Sequence, residues 1–323
     1  MDEKKVICKR LRKEFGTNGW ALLIYYGIMN AAVMLVSILD GLVYAMQLML
    51  DPNADPSYLE AELAQRLLEN GWGYVLATVV GAVILLLWKK KDFCLRQIWK
   101  TEKGMTPGDF FRLLVVFFSG QALFQLLTPL LEWLFSLMGF SLQNFVDSAS
   151  MSGDSLSMFL YACLLAPIFE EVLFRGLVMR SLEPYGRKFA ILGSAFLFGI
   201  FHGNLVQTPY AFAVGLVLGY VAMEYSMGWA MVLHMINNLL LGDTLYRLTG
   251  SSSELIQQIV FAVVIWGLSI AGLVVLICKR KAIADYFRRW KTHPFCWRCF
   301  FTAPGILALC VVMIANIVLT LFL

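Results

Sequence analysis

Three charged side chains stand inside one apolar run. Residues 160–180, LYACLLAPIFEEVLFRGLVMR, carry Glu170, Glu171 and Arg175 near the middle. Each charge at the centre of a membrane helix costs about 2.5–3.5 kcal/mol on insertion scales, so three together point to a task. Glu171 and Arg175 are four apart, on one face of a helix, and suit an ion pair. Glu170 lies about 100° round the axis and is left for other work. A carboxylate without a partner in low dielectric has a perturbed proton affinity, which suits a general acid or base. Two further apolar runs supply a histidine each. FLFGIFHGN sets Phe198 and His202 four apart, and VLHMINN sets His234 and Asn238 four apart, with Asn237 between. The chain has three histidines, and two of them are these. Intramembrane ionisable groups mark proton pathways or catalysis.

No serine or cysteine stands out as a nucleophile. Cys163 lies two turns before Glu170, but a cysteine in apolar surroundings is inert. Two hydrolytic readings stay open. In one, Glu170, His202 and His234 bind zinc and water takes the fourth position, although no His-Glu-x-x-His helix accompanies them. In the favoured one no cofactor is required: Glu170 deprotonates water, His202 orients it, and His234 and Asn238 donate to the developing oxyanion. Either fits cleavage of an amide within or beside a membrane. Pro167, three residues before Glu170, is expected to bend its helix and free backbone carbonyls near the site. Ala195, Gly199 and Gly203, with Gly215 and Gly219 on the next run, form small-residue ridges that let helices approach.

Composition identifies the elements that must hold these groups. Of 323 residues, 59% are hydrophobic and 15% charged, with a mean hydropathy of +0.72. Soluble chains carry about 45–50% apolar and about 25% charged residues. Disordered, disulfide-rich secreted and nucleic-acid-binding classes are excluded, and the reading is an integral membrane protein. A membrane helix needs about 20 apolar residues. Runs at 20–50, 71–88, 110–138, 155–182, 189–206, 209–226, 229–246, 257–278 and 302–323 meet or approach that length. None alternates with period two, so a β-barrel is disfavoured. The expected fold is all-α and polytopic, with about nine transmembrane helices. The first run is read as a retained helix rather than a leader.

Basic residues orient the spans. Six lie in the N-terminal segment, seven in 89–112, three at Arg180, Arg187 and Lys188, and seven in 279–301. The other connections hold Arg66 and Arg247, and Arg175 is embedded. Nine spans with a cytoplasmic N-terminus put 23 of the 26 on the cytoplasmic side, which suits anionic lipid headgroups at a cell membrane. Cys8, Cys94, Cys278, Cys296 and Cys299 fall in or beside cytoplasmic segments, so structural disulfides are not expected. Cys296 and Cys299, near His293, are read as interfacial residues, since a structural zinc site takes four ligands. The organisation read from the chain is a basic N-terminus (1–19), three helices with an acidic external loop (20–150), a core carrying the motifs (155–246), and C-terminal helices with an aromatic, basic interfacial segment (247–323).

Glu170-Glu171-x-x-x-Arg175, then Phe198-x-x-x-His202, then His234-x-x-x-Asn238 resembles the three-motif pattern of the CAAX prenyl endopeptidase and bacteriocin-processing (CPBP, or Abi) intramembrane proteases. The likeness covers roughly 160–240. It implies a helical core round a conical cavity and a glutamate-dependent endopeptidase, long labelled a metalloprotease. Glu170 and His202 would activate water, and His234 and Asn238 would form the oxyanion hole. The substrate would be a membrane-associated protein or peptide, lipidated in the eukaryotic members. Two readings of other classes compete: a non-catalytic scaffold or bacteriocin-immunity protein, and a proton-coupled transporter. A depth problem also arises. Along straight helices Glu170 and His202 lie about 18–20 Å from the cytoplasmic ends of their runs, but His234 only about 9 Å in. The site closes only if the Glu224–Gly228 connection dips inward or the helices tilt.

Overall fold

The computed structural model describes residues 3–50, 55–92, 101–149, 155–240, 253–290 and 292–322, and these form helices with no strand among them. Helix α1 (Glu3–Leu50) is followed by α2 (Pro56–Glu69), α3 (Trp72–Asp92), α4 (Pro107–Ser136) and the short α5 (Gln143–Ala149). Thr106 and Asp55 cap α4 and α2, each ahead of a proline that needs no hydrogen-bond partner at the first turn. A bent central helix then runs from Leu156 to Tyr185. It comprises α6 (Leu156–Phe159), a π-helical turn (Leu160–Leu165), α7 (Ala166–Glu171), a second π segment (Val172–Met179), α8 (Arg180–Leu182) and a 3₁₀ turn. Then come α9 (Arg187–Phe201), α10 (Gln207–Glu224), α11 (Met227–Leu239), α12 (Glu254–Arg289), α13 (Pro294–Phe301) and α14 (Pro304–Leu321).

The central helix, α9, α10 and α11 occupy the interior, where Phe174, Phe198, Leu218 and Leu233 are buried. The outer helices do the reverse of a soluble protein. Met34 and Met46 on α1, Ile259 and Val263 on α12, and Val311 and Leu319 on α14 are all exposed. In a bilayer those side chains meet lipid, so the protein is a multi-pass membrane protein. Close helix crossings rest on glycine. A Cβ on Gly19 or Gly305 would fall about 2 Å from the facing backbone of α14 or α1. The ridge expected on α9 and α10 is where those helices pack, Gly215 meeting Ala195 and Phe198, and Gly199 meeting Thr208 and Phe212.

The bundle has two polar ends. At one, Arg12 donates to the Thr302 carbonyl and Arg187 pairs with Glu224 at 3.0 Å and Glu102 at 3.5 Å. Tyr286 also donates to Glu224, and Lys103 lies over the Tyr225 ring. Described parts of the four basic segments therefore meet there. At the other end Asn70 donates to Asp40, Ser155 to the Glu69 carbonyl, Asn204 to the Phe145 carbonyl, and Asn316 to the Gly203 carbonyl.

Six described helices are long and apolar enough to cross a membrane. The runs read as spans five to seven are shorter helices of 15, 18 and 13 residues. Their short length has a physical basis: enclosed by other helices, they need not satisfy their backbones against lipid over the full thickness. The end of the 229–246 run, Arg247, Cys94 and part of the 89–112 connection lie outside the described residues. The interfacial segment splits in two, because α12 runs on to Arg289 and α13 turns Phe300 into the core. On α13, Cys299 brings its Sγ within 2.8 Å of the Cys8 Sγ on α1.

Candidate active site

Pro167 sets the backbone of the site. It has no N–H to give the preceding turn, and there the helix widens to the π register. The Ala166 N–H bonds to the Tyr161 carbonyl, five residues back, instead of to Ala162. In that register the next donor would be Pro167, which has none, so the Ala162 carbonyl is left open. Asn238 fills the gap, its Nδ2 donating to Ala162 O at 2.8 Å. The carbonyl expected to be freed by proline is thus the seat of a motif side chain. The second π segment behaves likewise, with Ser194 of α9 donating to the Phe174 carbonyl at 2.7 Å.

Glu170 and Glu171 part company as the helical geometry requires. The Glu171 side chain is 0% exposed and lies 3.1 Å from Arg175, also 0% exposed, whereas 22% of the Glu170 side chain remains open. Arg175 is held further by the Gly215 carbonyl at 3.1 Å and by the Phe198 ring 4.4 Å below its guanidinium. This ion pair is one part of a longer chain. His234 Nδ1 is 3.0 Å from Glu171 Oε1, and its Nε2 is 3.8 Å from Glu170 Oε2. An ionised carboxylate only accepts, so Nδ1 carries the proton and Nε2 turns toward Glu170. The bond from Glu171 to His234 spans 63 residues of sequence, and no local spacing announces it.

His202 is the C-cap of α9, and Gly203 at φ +56 stops the helix immediately after it. Its Nδ1–H donates to the Phe198 carbonyl at 2.8 Å, which leaves Nε2 as an acceptor on the neutral ring. Phe198 abuts both histidines edge-on, at 4.9 Å from His202 and 5.8 Å from His234. All three motifs thus converge on one buried aromatic ring. The two motifs meet despite the difference in depth counted along straight helices, with His234 Nε2 3.8 Å from Glu170 Oε2. Arg180 donates to the Ala222 carbonyl at 3.1 Å, and the N–H groups of Glu102 and Lys103 cover the Tyr225 and Glu224 carbonyls. The turn between α10 and α11 is therefore level with Arg180, short of the helix end at Tyr185. Glu170 stands about 15 Å in from Arg180, and His234 about 10 Å in from the start of α11 at Met227.

Among the described residues no group of three or more His, Cys, Asp or Glu side chains is arranged to hold a metal ion. Both histidines commit Nδ1 to protein oxygens, and Glu170, His202 and His234 are not gathered as a ligand set. A cleft between α1, α2 and α3, lined by Val33, Asp40, Asn70 and Tyr74, shares no residue with the cluster. What the site offers is a partly open carboxylate on Glu170, approached by the His234 imidazole that Glu171 backs, an accepting imidazole on His202, and an amide with one N–H unspent.

Comparison with known proteins bears on residues 152–240, which match the family model described as type II CAAX prenyl endopeptidase Rce1-like. The match spans Glu170, His202, His234 and Asn238 together. No curated protein and no solved structure matches the chain.

Proposed function

We propose that the chain is an intramembrane endopeptidase that hydrolyses a peptide bond of a membrane-associated protein or peptide, with Glu170 activating the water. The observation that carries the reading is the approach of His234 to Glu170, 3.8 Å across two helices, with Glu170 alone of the paired glutamates left open. In this mechanism water lies between Glu170 and the accepting Nε2 of His202. Glu170 takes the proton as the water oxygen attacks the carbonyl carbon. The oxyanion collects the spare N–H of Asn238 and, when His234 is an imidazolium, its Nε2–H. Glu171 offsets that positive charge from behind, as the acid member of a catalytic triad does. Glu170 then returns its proton to the leaving amine. No step passes through a metal.

The proposed setting is a cell membrane, crossed nine times, with the N-terminus and the basic end in the cytoplasm against anionic headgroups. The proposed substrates are CAAX-type termini or peptide precursors. The test is cleavage of an internally quenched peptide ending in a farnesylated Cys-aliphatic-aliphatic-X sequence, by protein reconstituted in liposomes. Glu170→Gln and His202→Ala are each expected to lower kcat by about 10²–10⁴, with a chelator leaving the wild type unchanged. Full activity in both variants refutes the mechanism, and loss with chelator restores the zinc reading.

A further inference from the structure

We infer that Tyr210 and Gln121 are positioning residues for Asn238, acting through a one-way chain of hydrogen bonds that begins outside the matched segment. The inference rests on the reading that Asn238 faces the oxyanion. Gln121 of α4 donates through Nε2 to Tyr210 Oη; Tyr210 donates to Asn237 Oδ1 at 2.9 Å. Asn237 Nδ2 donates to Asn238 Oδ1 at 3.0 Å, and Asn238 Nδ2 to the Ala162 carbonyl at 2.8 Å. Gln121 and Asn237 are each 5% exposed, and Tyr210 and Asn238 are half-buried, so two of the four side chains are closed to outside donors.

Its direction is forced from the far end. A backbone carbonyl only accepts, so Asn238 must turn Nδ2 toward Ala162 and Oδ1 toward Asn237. Asn237 must then give its amide nitrogen to Asn238 and offer its oxygen to Tyr210. Tyr210 must spend its proton there and can only accept from Gln121. Turning either asparagine amide over would set oxygen against oxygen or nitrogen against nitrogen. One Asn238 N–H is thereby used on Ala162 and the other is fixed in direction, the pre-aimed donor that an oxyanion hole requires. Bonds in such a chain also polarise one another. Helix α4 is docked where it can serve: Phe124 meets the Tyr210 ring at 5.8 Å, and a Cβ on Gly120 would fall 2.7 Å from Val214.

Tyr210→Phe deletes one oxygen and keeps the ring packing. With the farnesylated peptide, kcat is expected to fall about tenfold, the worth of one neutral hydrogen bond, with KM within about twofold. In an Asn238→Ala background the same change is expected to alter the residual kcat by less than about twofold, because the two act as a unit. Equal losses in both backgrounds, or no loss in the wild type, overturn the inference. A second readout needs no turnover. In protein labelled with ¹⁵N-asparagine, the Asn238 side-chain amide signals, assigned by their disappearance in Asn238→Ala, are expected to move in Tyr210→Phe. Unmoved signals overturn the relay whatever the activity. Loss of cleavage in Glu170→Gln with Tyr210→Phe fully active sinks the relay and leaves the protease standing. Full activity in Glu170→Gln sinks both.

Discussion

The two adjacent glutamates divide labour by exposure. Glu171 is enclosed, shared between Arg175 and His234, while Glu170 keeps part of its carboxylate open. Neutralising each should therefore fail in a different way. Glu171→Gln leaves the Arg175 charge buried without its counter-charge, and breaking a buried pair costs about 3–5 kcal/mol. It should lower the unfolding midpoint in detergent and lower activity with it, since His234 loses its backing. Glu170→Gln removes a charge whose ion-pair contact is the looser 3.8 Å approach of His234, against 3.1 Å and 3.0 Å at Glu171. It should abolish cleavage with a midpoint equal to the wild type's or higher. Thermal unfolding of both variants beside their cleavage rates decides it; a destabilised Glu170→Gln would reassign that residue to structure. At this scale much was legible. Mid-run charges are costly enough to draw the eye, and a four-residue spacing named the Glu171–Arg175 pair. The tie from Glu171 to His234 was not, because two residues 63 apart meet only through the packing of helices. Tyr210 was hidden for another reason: one uncharged hydroxyl in an apolar run costs too little to stand out.

The controlling element is the bent central helix. Pro167 was visible as a bend, but the widening of the turns on either side of α7 was not, since a helix read for lipid contact has no polar stripe to mark its register. The consequence is chemical. The open Ala162 carbonyl seats Asn238, and through Asn237 and Tyr210 it fixes the direction of a chain reaching α4. Pro167→Ala restores an N–H that can bond back to Ala162 or Cys163. Proline is about 3 kcal/mol less favourable than alanine inside a helix, so the variant should be at least as stable as the wild type. It should nevertheless lose about tenfold in kcat, because Asn238 must then compete for its acceptor, a loss of about one hydrogen bond. Stability and cleavage rate are the two measurements. A variant as active as the wild type would show that the oxyanion donor does not depend on the π turn.

The whole molecule is apolar outside, at α1, α12 and α14, and apolar inside as well, with Glu171, Arg175, His234 and Asn237 among the few charged and polar groups buried in its centre. Helix passes alternate between the two ends. Arg187 at the start of α9 is at the basic end, Asn204 before α10 is at the other, and Glu224 at the close of α10 is back with Arg187. The alternation holds although α9 to α11 are short, because the helices round them, and not their own length, span the bilayer. Composition led to nine passes by counting apolar runs, and helix length alone would count six among the described residues. Nine passes require α9 and α10 to carry the chain across and back, and labelling their ends tests it. In a cysteine-free background, Ser57→Cys and Gln207→Cys should react with a membrane-impermeant maleimide applied to intact cells. Lys188→Cys should react only after permeabilisation, since the basic end is expected to be cytoplasmic. A shielded Gln207→Cys beside a reactive Ser57→Cys would mean that α9 and α10 enter and leave on one side. The reversed pattern at all three positions would turn the molecule over and set the connection between α10 and α11 on the outer face.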